Sequence, residues 1–466
     1  MKEYDIIVIG TGAGLTIASR ARNKEMKVAL VENGPLGGTC LNRGCIPSKI
    51  LTYPAEVVRT IEHGKGVGIK AKVEEIDFDL VRKRMWGLIL PDREGIEEGI
   101  KEDPDLHFYR TTGYFVAPYT LQVNEDQIKA PRIVLACGTR SQVPNVKGLE
   151  EAGYLLSETV FDMEKVPKSL VIMGGGYKAC EFGHFFSAFG TKVTVIGRNP
   201  HLLSKEEPEV SDLMLEKARD YMDVLVDTEV LEVRKGAQGK TLVVRDRPTQ
   251  MISEVTADEI MVTTGVVSNA DTLNATAAGI NLDKNNYIVI DQFMQTSQPN
   301  IFAMGDVIGR TMFRHTANYH VDVVWRNMFS KSKVALDEHA VPHAVFGYPE
   351  VASVGMTEAE AKAKAVKYLV GRSDYYDCAK GYAMAEEGSF VKVVVQAGDL
   401  KILGASAIGS HAAILIQAVV YMMNAGDQSF MPLARSQTIH PALSEAVVNA
   451  FGNLVDPEHQ HHHGSD

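Results

Sequence analysis

Tyr4-Asp5-Ile6-Ile7-Val8-Ile9-Gly10-Thr11-Gly12-Ala13-Gly14 is the stretch that decides the fold. Its apolar run has no alternation, as in a strand buried on both faces, and it breaks into glycines. A helix carrying Ala18 and Ala21 follows. A second apolar strand, Lys27-Val28-Ala29-Leu30-Val31-Glu32, then ends in an acid 22 residues after Gly10. This is a βαβ unit with a dinucleotide fingerprint. Gly10 makes the tight turn, Gly12 lets a pyrophosphate approach the helix N-terminus, and Glu32 accepts from a ribose hydroxyl. At the third fingerprint position Leu15 stands where glycine or alanine lets helix and strand pack, and Gly14, one residue earlier, is expected to relieve the crowding.

The pattern returns further along the chain. Leu170-Val171-Ile172-Met173 runs into Gly174-Gly175-Gly176-Tyr177-Lys178-Ala179, with alanine at the third position, and Lys192 to Ile196 is the second strand of the unit. Here the terminal acid is missing, and Gly197-Arg198 takes its place. A guanidinium there suits a 2′-phosphate; the competing reading is a solvated loop arginine. Two such units imply two dinucleotides.

Between them lies Gly37-Gly38-Thr39-Cys40-Leu41-Asn42-Arg43-Gly44-Cys45-Ile46-Pro47-Ser48-Lys49. It is a glycine-rich approach followed by a helix start, where unpaired N–H groups favour a thiolate. Two cysteines alone are half a structural zinc site, so no metal is expected. The other three, Cys137, Cys180 and Cys378, read as inert buried thiols. A cofactor in the first nucleotide unit would lie close to Cys40 and Cys45. Flavin is the natural choice, because hydride from a nicotinamide must become two electrons on a disulfide. Ile133 to Thr139 and Ile260 to Gly265 are expected strands ending in small residues, and Ile301 to Asp306 ends in an acid placed to hold a polyol hydroxyl.

The chain has 466 residues, enough for about three domains. Forty-eight Lys and Arg against 59 Asp and Glu give a net charge of −11, which argues against a nucleic-acid or anionic-membrane partner. The longest apolar stretch, Ala412 to Met423, is interrupted by Gln417 and too short to span a membrane. With no signal peptide and few cysteines, a cytoplasmic location is expected. Beyond about residue 340 the texture changes to antiparallel-like strands, Phe390 to Gln396 and Ile402 to Ile408. Near the end His440-Pro441 precedes Glu445: either an oriented general acid/base or a structural cap. The histidine-rich tail resembles a purification remnant.

Together these residues resemble the class I pyridine nucleotide-disulfide oxidoreductases, which include dihydrolipoamide dehydrogenase, glutathione reductase, mycothione reductase and mercuric reductase. The resemblance runs from Tyr4 to about Leu454. It is carried by the Cys40–Lys49 segment with its glycines, Ala303-Met304-Gly305-Asp306, Pro349-Glu350-Val351-Ala352-Ser353-Val354-Gly355, and His440-Pro441 with Glu445. It implies an α/β chain of two Rossmann-like dinucleotide-binding domains and a C-terminal α+β dimerisation domain. The expected boundaries are 1–150 for FAD, completed by about 270–335, then 151–270 for NAD(P), 336–455 for dimerisation, and 456–466 as tail.

By position the resemblance puts Gly10, Gly12, Gly14, Glu32, Gly38, Thr39, Gly138 and Asp306 at FAD. It puts Gly174, Gly176, Tyr177, Arg198 and Gly265 at NADP or NAD. It implies an ion pair of Lys49 with Glu181, Cys45 as the flavin-side thiol, Cys40 as the interchange thiol, and His440, oriented by Glu445, moving the proton at the partner subunit's cysteines in a homodimer. The first expectation for function is a dihydrolipoyl dehydrogenase-like enzyme acting on a small disulfide or dithiol or on a lipoyl domain. The alternative is an NADPH-dependent reductase of a low-molecular-weight thiol disulfide, and a metal-ion or quinone reductase ranks third. Ser204 replaces the second phosphate-binding arginine of the NADPH-dependent members, and Val266 replaces the arginine usual after Gly265.

Overall fold

The computed structural model describes residues 1–457. The expected tail remnant lies outside the described residues from 458 onward.

Ile6–Ile9 and Val28–Val31 are parallel neighbours, fully buried as their unbroken apolar runs require. They sit in a five-stranded parallel sheet in the spatial order Ile301–Ala303, Ile133–Leu135, Ile6–Ile9, Val28–Val31, Leu106–Tyr109. The order reverses between Ile6–Ile9 and Ile133–Leu135, the switch point where such sheets open a crevice for a ligand. Gly10 stands there with φ +99°, and a Cβ on it would lie 2.2 Å from the Ala136 carbonyl oxygen. Helix Gly14–Arg22 returns over the sheet. A Cβ on Gly14 would stand 3.0 Å from Val8 Cγ1 and 3.3 Å from Ala136 Cβ, so Gly14 performs the helix–strand packing that Leu15 could not.

The second unit repeats this logic. Its parallel sheet runs Asp223–Leu225, Lys192–Ile196, Ser169–Met173, Glu259–Val262, and an antiparallel three-stranded sheet, Thr228–Gly236, Gly239–Asp246 and Ile252–Ala257, is inserted before its last strand. Gly174, φ +129°, repeats the part of Gly10 against Thr263. A two-stranded antiparallel ribbon, Thr139–Ser141 with Val266–Ser268, joins the two nucleotide-binding units.

The third sheet, Pro342–Val345, Val351–Gly355, Ile402–Ile408, Phe390–Gln396, Tyr368–Asp374, is antiparallel throughout and backed by helices Ala412–Met423 and Ser444–Gly452. Among the described residues no helix is long and apolar enough to cross a membrane. The redox segment forms the 19-residue helix Cys45–His63. Its Leu51, Ala55 and Val58 are buried in one core with Phe182, Phe185 and Phe186 of helix Tyr177–Ala188. That core also takes in Val345, Phe390 and Ile408 of the third sheet, so all three units meet beside the redox helix.

A buried charge cluster closes the junction of the second and third units. Lys392, 3% exposed, lies 2.7 Å from Glu358, 2.8 Å from Glu209 and 3.2 Å from Glu207. Burial pulls the ammonium down, but the carboxylates outweigh it and hold Lys392 well above the ordinary lysine value. Removing one member of a buried charge cluster leaves the others uncompensated. Lys392→Met should therefore destabilise the protein by about 3–5 kcal/mol, seen as a lower denaturant midpoint. Adding Glu207→Gln should recover part of the loss; recovery of none would mean the cost is packing, not charge.

Candidate active site

The redox loop is built on contacts between glycines. A Cβ on Gly38 would stand 2.5 Å from Gly12 Cα, so the loop before Cys40 presses directly on the pyrophosphate turn. Gly37 N–H donates to Thr11 Oγ1 at 3.2 Å, and Thr11 donates through its hydroxyl (2.9 Å) and its N–H (3.0 Å) to Glu32. Glu32 also accepts from Gly34 N–H at 2.8 Å. This relay from strand end to fingerprint threonine to redox loop is invisible in sequence, since Thr11 looks like a spacer. Behind it, Asn42 donates to the carbonyls of Leu36 and Gly38 and accepts from Arg93 at 2.8 and 2.9 Å.

The glycine approach is itself a short helix, Gly38–Arg43, which carries an exposed Thr39 and a half-buried Cys40; Gly44 breaks it, and Cys45, itself exposed, opens the long helix. Both cysteines are free thiols. The hydrogen bond from Cys40 is the main influence that lowers Cys45, to about 7; its place at the helix start, Lys49 and Arg314 add to this, and burial opposes it. Cys40 is raised by the same hydrogen bond and by burial. Of the three thiols expected to be buried, Cys180 and Cys378 are, whereas Cys137 at the end of Ile133–Leu135 is only half-buried; desolvation raises all three.

Lys49, one turn into the redox helix, pairs with Glu181 at 2.8 Å and lies over the Phe346 ring, 4.2 Å from its centroid. Glu181 accepts a second bond from Phe346 N–H at 3.0 Å, so three units converge on one carboxylate. Tyr177, half-exposed, is the first residue of the Glu181 helix, and Gly176 caps it. A Cβ on Gly176 would meet no atom within 4 Å, so a nucleotide phosphate has open space at that helix N-terminus. Gly138 (φ +67°) and Gly265 (φ +122°) take left-handed turns at the ends of the ribbon.

For FAD the fit is equally direct. Asp306 is half-buried and its carboxyl is raised by that desolvation, yet Thr139 at 3.3 Å is its single hydrogen-bond donor among the described residues. An under-served carboxylate is what a polyol hydroxyl would satisfy. Glu32 stands at the end of Val28–Val31, as a ribose contact requires.

Arg198 is exposed on the loop after Lys192–Ile196. The structure adds what the sequence spacing could not show: Arg247, from the hairpin 49 residues on, donates to the Arg198 carbonyl at 2.8 Å. Arg247 thus brings a second guanidinium onto the loop where the ribose-binding acid is missing, and there Glu229, lowered mainly by its hydrogen bond from Arg245, also feels Arg198 and Arg247. At the other end of the chain, His440 Nδ1 bonds Glu445 at 2.7 Å, and Glu445 is lowered by that bond and by the Ala442 N–H. His440 is 72% exposed at its side chain, and no hydrogen bond or ion pair joins it to Cys40 or Cys45 of its own chain. Among the described residues, no group of three or more His, Cys, Asp or Glu could hold a metal ion.

The pyridine nucleotide-disulphide oxidoreductase family model matches residues 4–320, and the dimerisation domain of the same family matches 341–451. The chain belongs to that family. It is therefore an FAD-dependent pyridine nucleotide-disulfide oxidoreductase using NAD(P)H, with a C-terminal dimerisation domain. It is 34% identical to the mycothione reductase of Mycobacterium tuberculosis over 97% of this chain and 100% of that protein. It is 30% identical to the dihydrolipoyl dehydrogenase of Chlamydia pneumoniae over 99% of this chain and 98% of that protein. Among solved structures, the HOCl-induced flavoprotein disulfide reductase RclA from Escherichia coli, in its Cu(II) complex, matches with TM-score 0.85 and 25% identity, over 97% of this chain and 99% of RclA.

In the reduced enzyme, alkylation by iodoacetamide with peptide mapping should modify Cys45 with a pH midpoint near 7. Cys180 and Cys378, both buried, should stay unmodified until unfolding. Equal reactivity of Cys40 and Cys45 at neutral pH would contradict the asymmetry described above.

Proposed function

We propose that the enzyme reduces the disulfide of a low-molecular-weight thiol with NADPH, dihydrolipoamide-type oxidation being the second reading. The observation that carries the first is Arg198 beside Gly197, with Arg247 donating to its main-chain carbonyl, at a strand end that lacks the ribose-binding acid, which suits a 2′-phosphate rather than a free ribose hydroxyl. The likeness to mycothione reductase supports the same substrate class. The second reading is favoured by the near full-length likeness to dihydrolipoyl dehydrogenase. We place the enzyme in the cytoplasm and divide it at the boundaries expected from sequence.

Bound FAD would supply the two-electron relay between nicotinamide and the Cys40–Cys45 disulfide. Gly10, Gly12, Gly14, Gly38, Thr39, Gly138, Glu32 and Asp306 would hold it, while Gly174, Gly176, Tyr177 and Gly265 with the two arginines would hold the nicotinamide nucleotide. In the dithiol, Cys45 is the thiolate and Cys40 carries the proton. His440 of the partner subunit removes that proton. Cys40 sulfur then attacks one substrate sulfur, the substrate S–S bond breaks, and the leaving thiolate takes the proton back from the histidine. Cys45 next attacks Cys40, closing the protein disulfide and expelling the second substrate sulfur as a thiolate, which takes its proton from solvent. The sum consumes NADPH, one proton and one disulfide, and yields NADP⁺ and two thiols. Glu445 orients the imidazole, and the Lys49–Glu181 pair fixes the redox helix against the nucleotide helix.

The test is steady-state assay with each nicotinamide against a panel of oxidised thiols and dihydrolipoamide. Arg198→Ala and Arg247→Ala should each raise KM for NADPH by roughly 10- to 150-fold, one charge-assisted contact, and leave NADH nearly unchanged. Equal effects on both nucleotides would remove the 2′-phosphate reading.

His440→Gln should slow substrate exchange by about 10²–10⁴-fold while NADPH still reduces the protein at near-normal rate. Mixing the inactive Cys40→Ser and His440→Gln variants under subunit exchange should restore partial activity in heterodimers. Demonstrated exchange without recovery would rule out a site shared between subunits.

A further inference from the structure

We propose that His320 is a positioning residue for the flavin: its imidazole takes the Gly305 N–H and so fixes the turn that aims the Asp306 carboxylate at the cofactor. This rests on the reading of Asp306 as the acid that holds a flavin hydroxyl.

His320 is the misfit on its helix. Helix Arg314–Phe329 buries Ala317, Val321 and Val324, and His320, fully buried, stands among them. An imidazole there gives up its water, and such a group is kept only where hydrogen bonds replace it. One ring nitrogen is served, because Gly305 N–H donates to Nδ1 at 3.1 Å. That direction puts the ring proton on Nε2. Nε2 is buried without a hydrogen bond among the described residues, and it faces Glu338 Oε1 at 3.8 Å. Glu338 is held by the Thr311 hydroxyl at 2.6 Å and by its ion pair with Arg310. Negative charge therefore stands on the protonated side of the ring and keeps Nδ1 free to accept.

What the bond fixes is the turn that carries the flavin acid. After strand Ile301–Ala303 the chain makes one 3₁₀ turn, Gly305–Ile308, whose first N–H groups find no partner inside it. Gly305 sits at φ +71°, a conformation that glycine enters without cost and leaves as easily, so the turn must be held from outside. The helix holds it at two points one turn apart. A Cβ on Gly305 would stand 3.6 Å from Ala317 Cβ, and the Gly305 N–H is tied to His320. Asp306 follows directly, with Thr139 its single donor among the described residues. Without flavin the turn can relax and let water reach the Gly305 N–H. With flavin bound Asp306 must keep its place, and only the protein can serve that N–H. The contribution of the histidine is thus felt in flavin affinity.

The experiment measures retention of FAD by the loaded enzyme, read as the rise of free-flavin fluorescence on dilution. His320→Leu and His320→Met keep the apolar face filled and remove the acceptor. Each should weaken FAD retention by roughly 5- to 150-fold, the equivalent of one unmade buried hydrogen bond. His320→Asn puts an amide oxygen near the place of Nδ1 and leaves a cavity, and it should hold retention within about threefold. Leu and Met variants that hold FAD like the parent overturn the proposal. So does an Asn variant that loses FAD as readily as Leu, since the ring would then act through packing. In Asp306→Ala there is no carboxylate to aim, so adding His320→Leu should change retention by less than about twofold. A full effect in that background also overturns the proposal. If Asp306→Ala alone retains FAD like the parent, the reading of Asp306 fails. That outcome is told apart from failure of His320, in which Asp306→Ala loses FAD and His320→Leu does not.

Discussion

One methyl group at position 10 would stand 2.2 Å from a backbone carbonyl, and everything at the first nucleotide site depends on its absence. That contact lets Ile6–Ile9 and Ile133–Leu135 lie side by side with their ends level at the switch point of the sheet. Gly12 then presents bare backbone, and Gly38 rests on it. The redox loop is thereby attached to the pyrophosphate turn by van der Waals contact of one glycine on another, leaving no side chain to swing aside. The same device, Gly174 against Thr263, is used for the second nucleotide. Two backbone contacts therefore set the positions of both nucleotide cradles relative to the thiols.

The electrostatics are layered on that frame with economy of partners. Glu181 neutralises Lys49 and simultaneously takes the Phe346 N–H, so the redox helix, the nucleotide helix and the third unit share one carboxylate. Asp306 is left nearly unserved and Glu445 is committed to His440.

Much of this was legible in the sequence because the local chemistry and the fold agree. Unbroken apolar runs such as Ile6–Ile9 can be strands in only one kind of sheet, and Phe390–Gln396 and Ile402–Ile408 carry enough alternation and β-branching to be bounded by eye. The expected Lys49–Glu181 pair is made, 132 residues apart in the chain. Other elements were silent for physical reasons. The 25-residue helix Phe78–Glu102 buries only four residues, Val81, Met85, Ile89 and Ile100, so its apolar stripe is thin and it carries no chemistry to flag it. The short helix Gly38–Arg43 begins with two left-handed glycines, which read as a loop. Arg247 could not be found by spacing, because it reaches the Arg198 loop from a distant element through tertiary packing.

The cluster around Lys392 has a consequence for how such chains can be recombined. The nucleotide unit that follows the ribbon is held by the ribbon at one end and by Glu207 and Glu209 around a buried lysine at the other. A grafted nucleotide module would have to bring both acids at the start of its own helix, or strand an ammonium in the interior. Nucleotide preference in this lineage is thus easier to retune by substituting surface arginines than by exchanging the module.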